Sequence, residues 1–171
     1  NCEMPNNSLS FDGDDDYVDI NSFETDGASS LTVSFWVKLN DINQSNTVIS
    51  RSSNSSNIFG FSYEVGTSTF HFMTRDDNGS NYHNYYDFSP SESQWYHIVM
   101  QREAGIAKRL FVNGELEFEI GDPNSNLTLP PLRIGANEQG GSNANMQFDN
   151  LQIWNTAISQ SFIQENMYND L

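Results

Sequence analysis

Cationic side chains are scarce. The 171 residues carry 7 Lys and Arg against 23 Asp and Glu, a net charge of −16. Such a chain repels phosphate backbones and anionic headgroups, which argues against nucleic acid and membrane surfaces as partners and favours cations. Long apolar runs are absent too. None approaches the roughly 20 residues a spanning helix needs, so no membrane insertion is expected. The N-terminus has no basic segment followed by an apolar one, so no signal peptide is read there. The only cysteine, Cys2, has no partner for an internal disulfide and leaves the redox compartment undecided. No Gly-x-Ser-x-Gly elbow, His-Glu-x-x-His pair, cysteine cluster or phosphate loop occurs. His71, His83 and His97 stand on separate segments and do not suggest a zinc site.

Aromatic residues, by contrast, are plentiful at 13%, although the apolar total is only 36%. Disordered chains are poor in aromatics, so this one is expected to fold. Asn and Ser fill about a quarter of the chain and favour turns. Leu31–Leu39 alternates with period 2 and is the clearest strand. Further short strands are expected near Ser8–Phe11, Tyr17–Ile20, Thr47–Arg51, Ile58–Val65, Thr69–Arg75, Trp95–Arg102, Leu132–Ile134 and Gln147–Trp154. Tyr82–Phe88 reads as a strand edge or a loop. Asn113-Gly114 joins two more strands, because that pair accepts the positive φ angles of a tight primed turn. Only Ser159–Tyr168 has helical spacing, with Phe162, Ile163 and Met167 on one side and Ser159 as cap. No composition shift marks a linker. The expectation is a flexible segment 1–7 and one domain over 8–171, an all-β, two-sheet antiparallel sandwich with a short C-terminal helix.

Six short motifs occur in order. Leu9-Ser10-Phe11-Asp12-Gly13 with Asp16-Tyr17-Val18 resembles the opening of laminin-G-like, concanavalin A-like jelly-roll domains. Leu31–Lys38, Trp95–Val99, Leu110–Leu116, Leu132–Gly135 and Phe148–Ser159 are similar to their later strands. The likeness covers about residues 8–168. It implies a jelly-roll sandwich of a kind common in bacterial secreted proteins. The fold hosts carbohydrate-binding modules, adhesion domains, hydrolases and lyases, so it does not decide the ligand.

Three sites are candidates. The first is for calcium, which takes six to eight oxygen ligands. Asp12, Asp14, Asp15 and Asp16 crowd one turn, but Tyr17 and Phe23 stand where an EF-hand needs Gly and Glu. The resemblance implies instead a structural ion held between the first motif and the late strand, at Asp12 and Asp149, with Asp16 of the same acidic turn as a further ligand. Asn150 replaces an acidic residue of the family pattern. The second is a glycan face on Tyr82, His83, Tyr85 and Tyr86, whose rings suit sugar stacking, with Arg75 for an acidic group and His71 beside it. The third is catalytic: Glu115, Glu117 and Glu119 would form a row of carboxylates on one strand face. Neighbours along such a row stand about 6.5–7 Å apart, within reach of the inverting spacing. The family pattern makes that strand an outward-facing polar one, and no catalytic residue is assigned. Trp36, Trp95, Trp154 and His97 match structural positions of the family.

The sequence therefore points to a non-catalytic carbohydrate-binding module with structural calcium, monomeric as an isolated domain. It is expected to come from a secreted or cell-surface multidomain protein, which the terminal Cys2 and the lack of a leader also fit. A protein-binding or adhesion module is the alternative, and a polysaccharide hydrolase or lyase the third.

Overall fold

Strand-forming residues separated by polar turns dominate the chain, and the computed structural model follows them. It describes residues 7–20, 29–51, 58–75, 81–85, 88–122 and 131–169. The first strands are Leu9–Asp12 (β1), Val18–Ile20 (β2), Ser30–Leu39 (β3), Asn46–Arg51 (β4), Ile58–Glu64 (β5) and Thr69–Arg75 (β6). Asn81–Tyr85 (β7), Trp95–Glu103 (β8), Ala107–Val112 (β9), Glu115–Gly121 (β10), Leu132–Ile134 (β11) and Asn145–Trp154 (β12) follow, and Gln160–Asn166 (α1) closes the chain. Tyr82–Phe88, ambiguous in the sequence, thus contributes an edge strand.

Two six-stranded sheets pack face to face. The first has the order β1-β12-β3-β8-β9-β10, the second β2-β11-β4-β5-β6-β7. All neighbours are antiparallel. Leu31, Val33, Phe35, Val37 and Leu39 are all buried between the sheets, as their alternation predicts. Phe35 stacks on Phe148 at 5.2 Å and meets Phe61 edge-on at 5.7 Å, which ties β3 and β12 to the opposite sheet.

The alternate residues of β3, Thr32, Ser34 and Trp36, are buried too. The cause is α1, which lies on the outer face of the first sheet. Ser159 caps it, accepting a hydrogen bond from the Phe162 amide at 3.1 Å. Ile163 packs with Val99 and Phe111 in a second small core. Phe162, expected on the packed side, is exposed instead; Ile158 supplies the further apolar contact. Trp36 Nε1 donates to the Met167 carbonyl at 3.1 Å. Gln160 and Gln164 both donate to the Gly114 carbonyl. The turn they grip has the expected positive φ angles, 52° at Asn113 and 81° at Gly114.

Charge also enters the interior. Arg102 and Lys108 are register partners at one end of the sandwich, continuing the inward face of Met100 and Leu110. Arg102 is paired with Asp122 and Lys108 bonds Thr74 Oγ1.

Candidate functional site

The two outer faces differ. α1 covers part of the first sheet and leaves beneath it a small pocket of about 20 Å3, room for one water. Beside the helix, a shallow groove of about 440 Å3 holds Arg109. That guanidinium is already bound by Glu103, Glu119 and Gln101. The outer face of the second sheet carries a cleft of about 230 Å3, lined mostly by residues with polar side chains, with Gly60 and Met73 among them.

The cleft follows from register. Leu132 and Ile134 point into the core, so Arg133 between them faces outward. Its register partners are Asp19 on β2 and Ser50 on β4. Gly60 lies beside Ser50, and the row continues through Met73 on β6 to His83 on β7. At Gly60 an added Cβ would stand 3.0 Å from the Ile49 carbonyl oxygen and 3.4 Å from Met73 Cε. Glycine therefore keeps the floor low. A second row holds Thr47, Ser62, His71 and Tyr85.

The loop after β11 walls the cleft with Asn137, Glu138 and Ser142. Asn137 Oδ1 holds this loop by accepting from the Gln139 and Gly141 amides at 3.0 and 2.8 Å. Thr47 N–H donates to the Ser142 carbonyl, which pins the wall to β4. Its base is fixed by Gly135, at φ 96°, where a Cβ would run into the Phe11 ring at 2.6 Å. On the other side Glu64 accepts from Ser62 at 3.2 Å and Ser45 at 3.0 Å, one hydroxyl per oxygen. Arg133 makes two hydrogen bonds to Asp19, at 2.7 and 2.9 Å, and lies 4.0 Å over the Tyr17 ring. The Asp19 carboxyl is held below its ordinary range chiefly by that hydrogen bond, and the Arg133 pKa is raised by the same contact.

The expected glycan residues fall at one end of this face. Register sets Tyr85 opposite His71, His83 opposite Met73, and Arg75 opposite Asn81. Tyr82 takes the alternate parity, opposite Thr74. The structure thus gathers Arg75, His83 and Tyr85 on the strand positions that include the cleft floor and separates Tyr82 from them. For these four only the backbone is described, and Tyr86 lies outside the described residues. Ser50, Ser62, Glu64, Asn137 and Glu138 were missed by sequence reasoning. They are common residue types without a motif, and only strand register and one loop bring them together.

The three expected calcium ligands do not meet. Asp12 and Asp16 do: the Asp12 amide donates to Asp16 Oδ2 at 3.3 Å, and Asp12 Oδ1 accepts from the Asp14 amide at 2.8 Å. Asp12 pairs with Asn145, four residues before Asp149, which puts Asp149 about 13 Å along the neighbouring strand. Asp149 Oδ1 accepts from the Asn150 amide instead. Among the described residues no group of three or more His, Cys, Asp or Glu is placed to hold a metal ion. A cage joining both chain ends therefore does not fit these residues.

The expected carboxylate row on β10 is also absent. A register shift between Leu116 and Phe118 breaks the alternation. Glu119 pairs with Arg109, while Glu115 accepts from Gln160 and Gln164.

His97 lines the small pocket beneath α1. Its Nε2 is 2.8 Å from Ser34 Oγ, and its buried Nδ1 has no partner. Burial pushes its pKa down from 6.5 to about 4. With the Trp36 ring tilted against it at 5.2 Å, it is a packing residue of the covered face, as its motif position implied.

Residues 12–164 match the family model of the concanavalin A-like lectin/glucanases superfamily. No curated protein sequence matches. The binding domain of botulinum neurotoxin serotype D is similar in structure, with a TM-score of 0.76 and 16% identity over 95% of this chain and 42% of that one. A heptameric SAP-like pentraxin from Limulus polyphemus has a TM-score of 0.66 and 15% identity, over 93% of this chain and 80% of that one. A botulinum neurotoxin type C structure, whose cell entry depends on two ganglioside molecules, gives 0.63 and 14%, over 84% and 36%. The chain spans about two fifths or less of the length of these two toxin chains. At such identities the likeness is one of fold.

Proposed function

The chain belongs to the concanavalin A-like lectin/glucanases superfamily, and from that footing we propose that it is a non-catalytic glycan-binding module whose ligand lies on the outer face of the second sheet. One observation carries this reading. α1 covers part of the outer face of the first sheet, and the Arg109 guanidinium in the groove beside it is already bound, whereas the second sheet carries a cleft of about 230 Å3 lined mostly by residues with polar side chains. Ser50, Ser62 and Asn137 offer hydroxyl and amide groups of the kind that read sugar hydroxyls. Arg75, His83 and Tyr85 extend the same register positions toward the sheet edge. Binding domains dominate the structural relatives, and one of them depends on gangliosides. That supports a carbohydrate ligand by fold analogy alone.

In this reading the module belongs to a secreted or cell-surface protein and acts through attachment to other domains, where avidity raises weak affinity. Calcium is kept only at the Asp12–Asp16 turn, and no part of ligand binding is routed through it.

The test is a glycan array and polysaccharide pull-down with the whole chain, with product analysis on the same samples. Binding without cleavage is expected. Asn137→Ala, which frees the cleft wall, should weaken it about tenfold while the sheets stay folded. New oligosaccharide products would replace this reading with an enzymatic one. A protein partner is the second reading, favoured by the exposed Ile106 in the β8–β9 turn and Leu116 and Ile120 on the edge strand β10. Serine substitution of those three would abolish partner capture and leave glycan binding intact.

A further inference from the structure

We propose that the groove beside α1, on the outer face of the first sheet, docks an extended segment of a protein partner in which an aliphatic side chain is flanked by Lys or Arg. This stands beside the glycan reading of the second sheet and does not depend on it. The groove holds about 440 Å3. Register builds its floor. Phe111 on β9 pairs with Leu116 on β10, and two residues back Arg109 pairs with Glu119. Leu116 and Glu119 are three apart yet share one face, because the register shift after Leu116 adds a residue to β10. Ala157 and Ile158, just ahead of α1, form the opposite wall. Phe111 is buried, whereas Leu116 is 43% exposed. Taking that apolar surface out of water favours an aliphatic anchor in the groove. β10 is also the edge of its sheet, so an extended segment lying beside it can pair with its backbone.

Charge selects what flanks the anchor. Arg109 is the one cation among the described residues that line the groove, and Glu103, Glu119 and Gln101 hold it. Two carboxylates on one guanidinium leave a net negative charge there. Each of them bonds Arg109 through one oxygen, and the other oxygen has no partner among the described residues. Arg109 Nη2 likewise has none, and can donate to a backbone carbonyl of the segment. The other six of the 7 Lys and Arg stand elsewhere. Arg102 and Lys108 are buried. Arg51, Arg75 and Arg133 are on strands of the second sheet. Lys38 pairs with Trp95, at the opposite end of β3 from the partner of Glu103. An ammonium or guanidinium entering here gains charge-assisted hydrogen bonds from carboxylates that no further cation claims. A second copy of this chain would instead bring its own acidic β10 and a net charge of −16 against the same charge.

The experiment is a calorimetric titration of the whole chain with the amidated peptide Lys-Val-Lys-Leu-Lys-Val-Lys and with Lys-Ser-Lys-Ser-Lys-Ser-Lys, which carries the same charge. The Val/Leu peptide should bind about tenfold or more tighter than the Ser peptide, and its affinity should fall with added salt. Leu116→Lys removes the apolar floor and adds a cation, and should weaken that binding about tenfold or more. Leu9→Lys makes the same change of charge on β1, at the opposite edge of the same sheet, where Leu9 is 49% exposed. It should leave binding near that of the parent. Both variants should keep the parent Tm, since both side chains are exposed.

Equal binding of the two peptides overturns the proposal, since general attraction to an acidic surface would then suffice. Equal losses in Leu116→Lys and Leu9→Lys overturn it for the same reason, and so does a failure of both peptides to bind. None of these outcomes touches the glycan reading, which the array tests on the same variants. A glycan signal lost in Leu116→Lys but kept in Asn137→Ala would move the carbohydrate to this groove and overturn the peptide assignment. A parent that sediments as a dimer, with Leu116→Lys a monomer, would assign the groove to a second copy and overturn it as well.

Discussion

Ser34 Oγ lies 2.8 Å from His97 Nε2, in a small pocket beneath the C-terminal helix. Both residues are on strands of the first sheet, facing away from the sandwich core, and both are buried. A hydroxyl beside an imidazole is a nucleophile's geometry. Here α1 lies over the pair, which packs between the helix and the sheet.

That packing makes stability depend on pH in a definite direction. Folding lowers the His97 pKa from 6.5 to about 4, because burial disfavours the imidazolium. Between those values the unfolded chain binds the proton and the folded chain does not. The contribution is fully present above about pH 6.5 and is lost as pH falls toward 4, by at most about 3 kcal/mol. Urea midpoints for the parent and His97→Gln, at about pH 7 and about pH 5, isolate it, since the carboxylates are common to both. The parent should lose more stability on acidification. Parallel losses would show that His97 titrates normally.

The helix itself should be worth measuring through Ile163. This side chain is 2% exposed and joins Val99 and Phe111 on the outer face of the first sheet. Ile163→Ala should cost about 2–4 kcal/mol. It should also raise amide exchange in α1 while the β3–β8 ladder stays protected. An effect below about 0.5 kcal/mol would mean that α1 is not docked through this residue.

Asp122 anchors the charged end of the sandwich. Its carboxylate is fully buried against Arg102, itself inside the first sheet's inward face. Asp122→Ala leaves that guanidinium buried without its partner, and the expected cost is about 3–5 kcal/mol by chemical denaturation. Replacing both residues, Arg102→Met with Asp122→Ala, should cost less than the single change. A double variant as unstable as the sum would argue that the two do not interact.

Calcium is tested by the difference between two acidic positions. Asp12 and Asp16 share a hydrogen bond in the first turn, whereas Asp149 lies four residues along β12 from the partner of Asp12. Asp12→Ala should lower Tm in calcium and change little in chelator. Asp149→Ala should give the same shift in both conditions. If Asp12→Ala also loses equally in both, the turn holds no ion. A calcium-dependent loss at Asp149 would restore the two-ended arrangement that the motifs implied.

Much of the fold was legible because it depends on local regularity. The five apolar residues of Leu31–Leu39 alternate, and a strand with one buried face must alternate. Asn113-Gly114 announces a primed turn, because few other pairs tolerate two positive φ angles. Ser159 before an i, i+4 pattern announces a capped helix, although the pattern alone did not decide which of Phe162 and Ile163 would face the sheet. The order of six motifs then led to the family, and the family model matches residues 12–164.

The site was far less legible. Tyr82 and His83 are adjacent in sequence, yet strand parity assigns them to opposite faces once β7 pairs with β6. Asp12 and Asp149 belong to motifs that the family places together, but the β1–β12 register offsets them here. The β10 carboxylates lost their row to a bulge that alternation could not foretell.

By itself, the amino-acid pattern determined the all-β architecture, the β9–β10 turn, the C-terminal helix and the inward face of β3, because each rests on contacts within a few residues or on a repeating period. Tertiary structure alone decided which outer face the helix covers and where the cleft forms. It did so by setting α1 on the first sheet, bulging β4 and β10, and folding the Asn137 loop beside Gly60. A cleft is a relation between strands far apart in the chain.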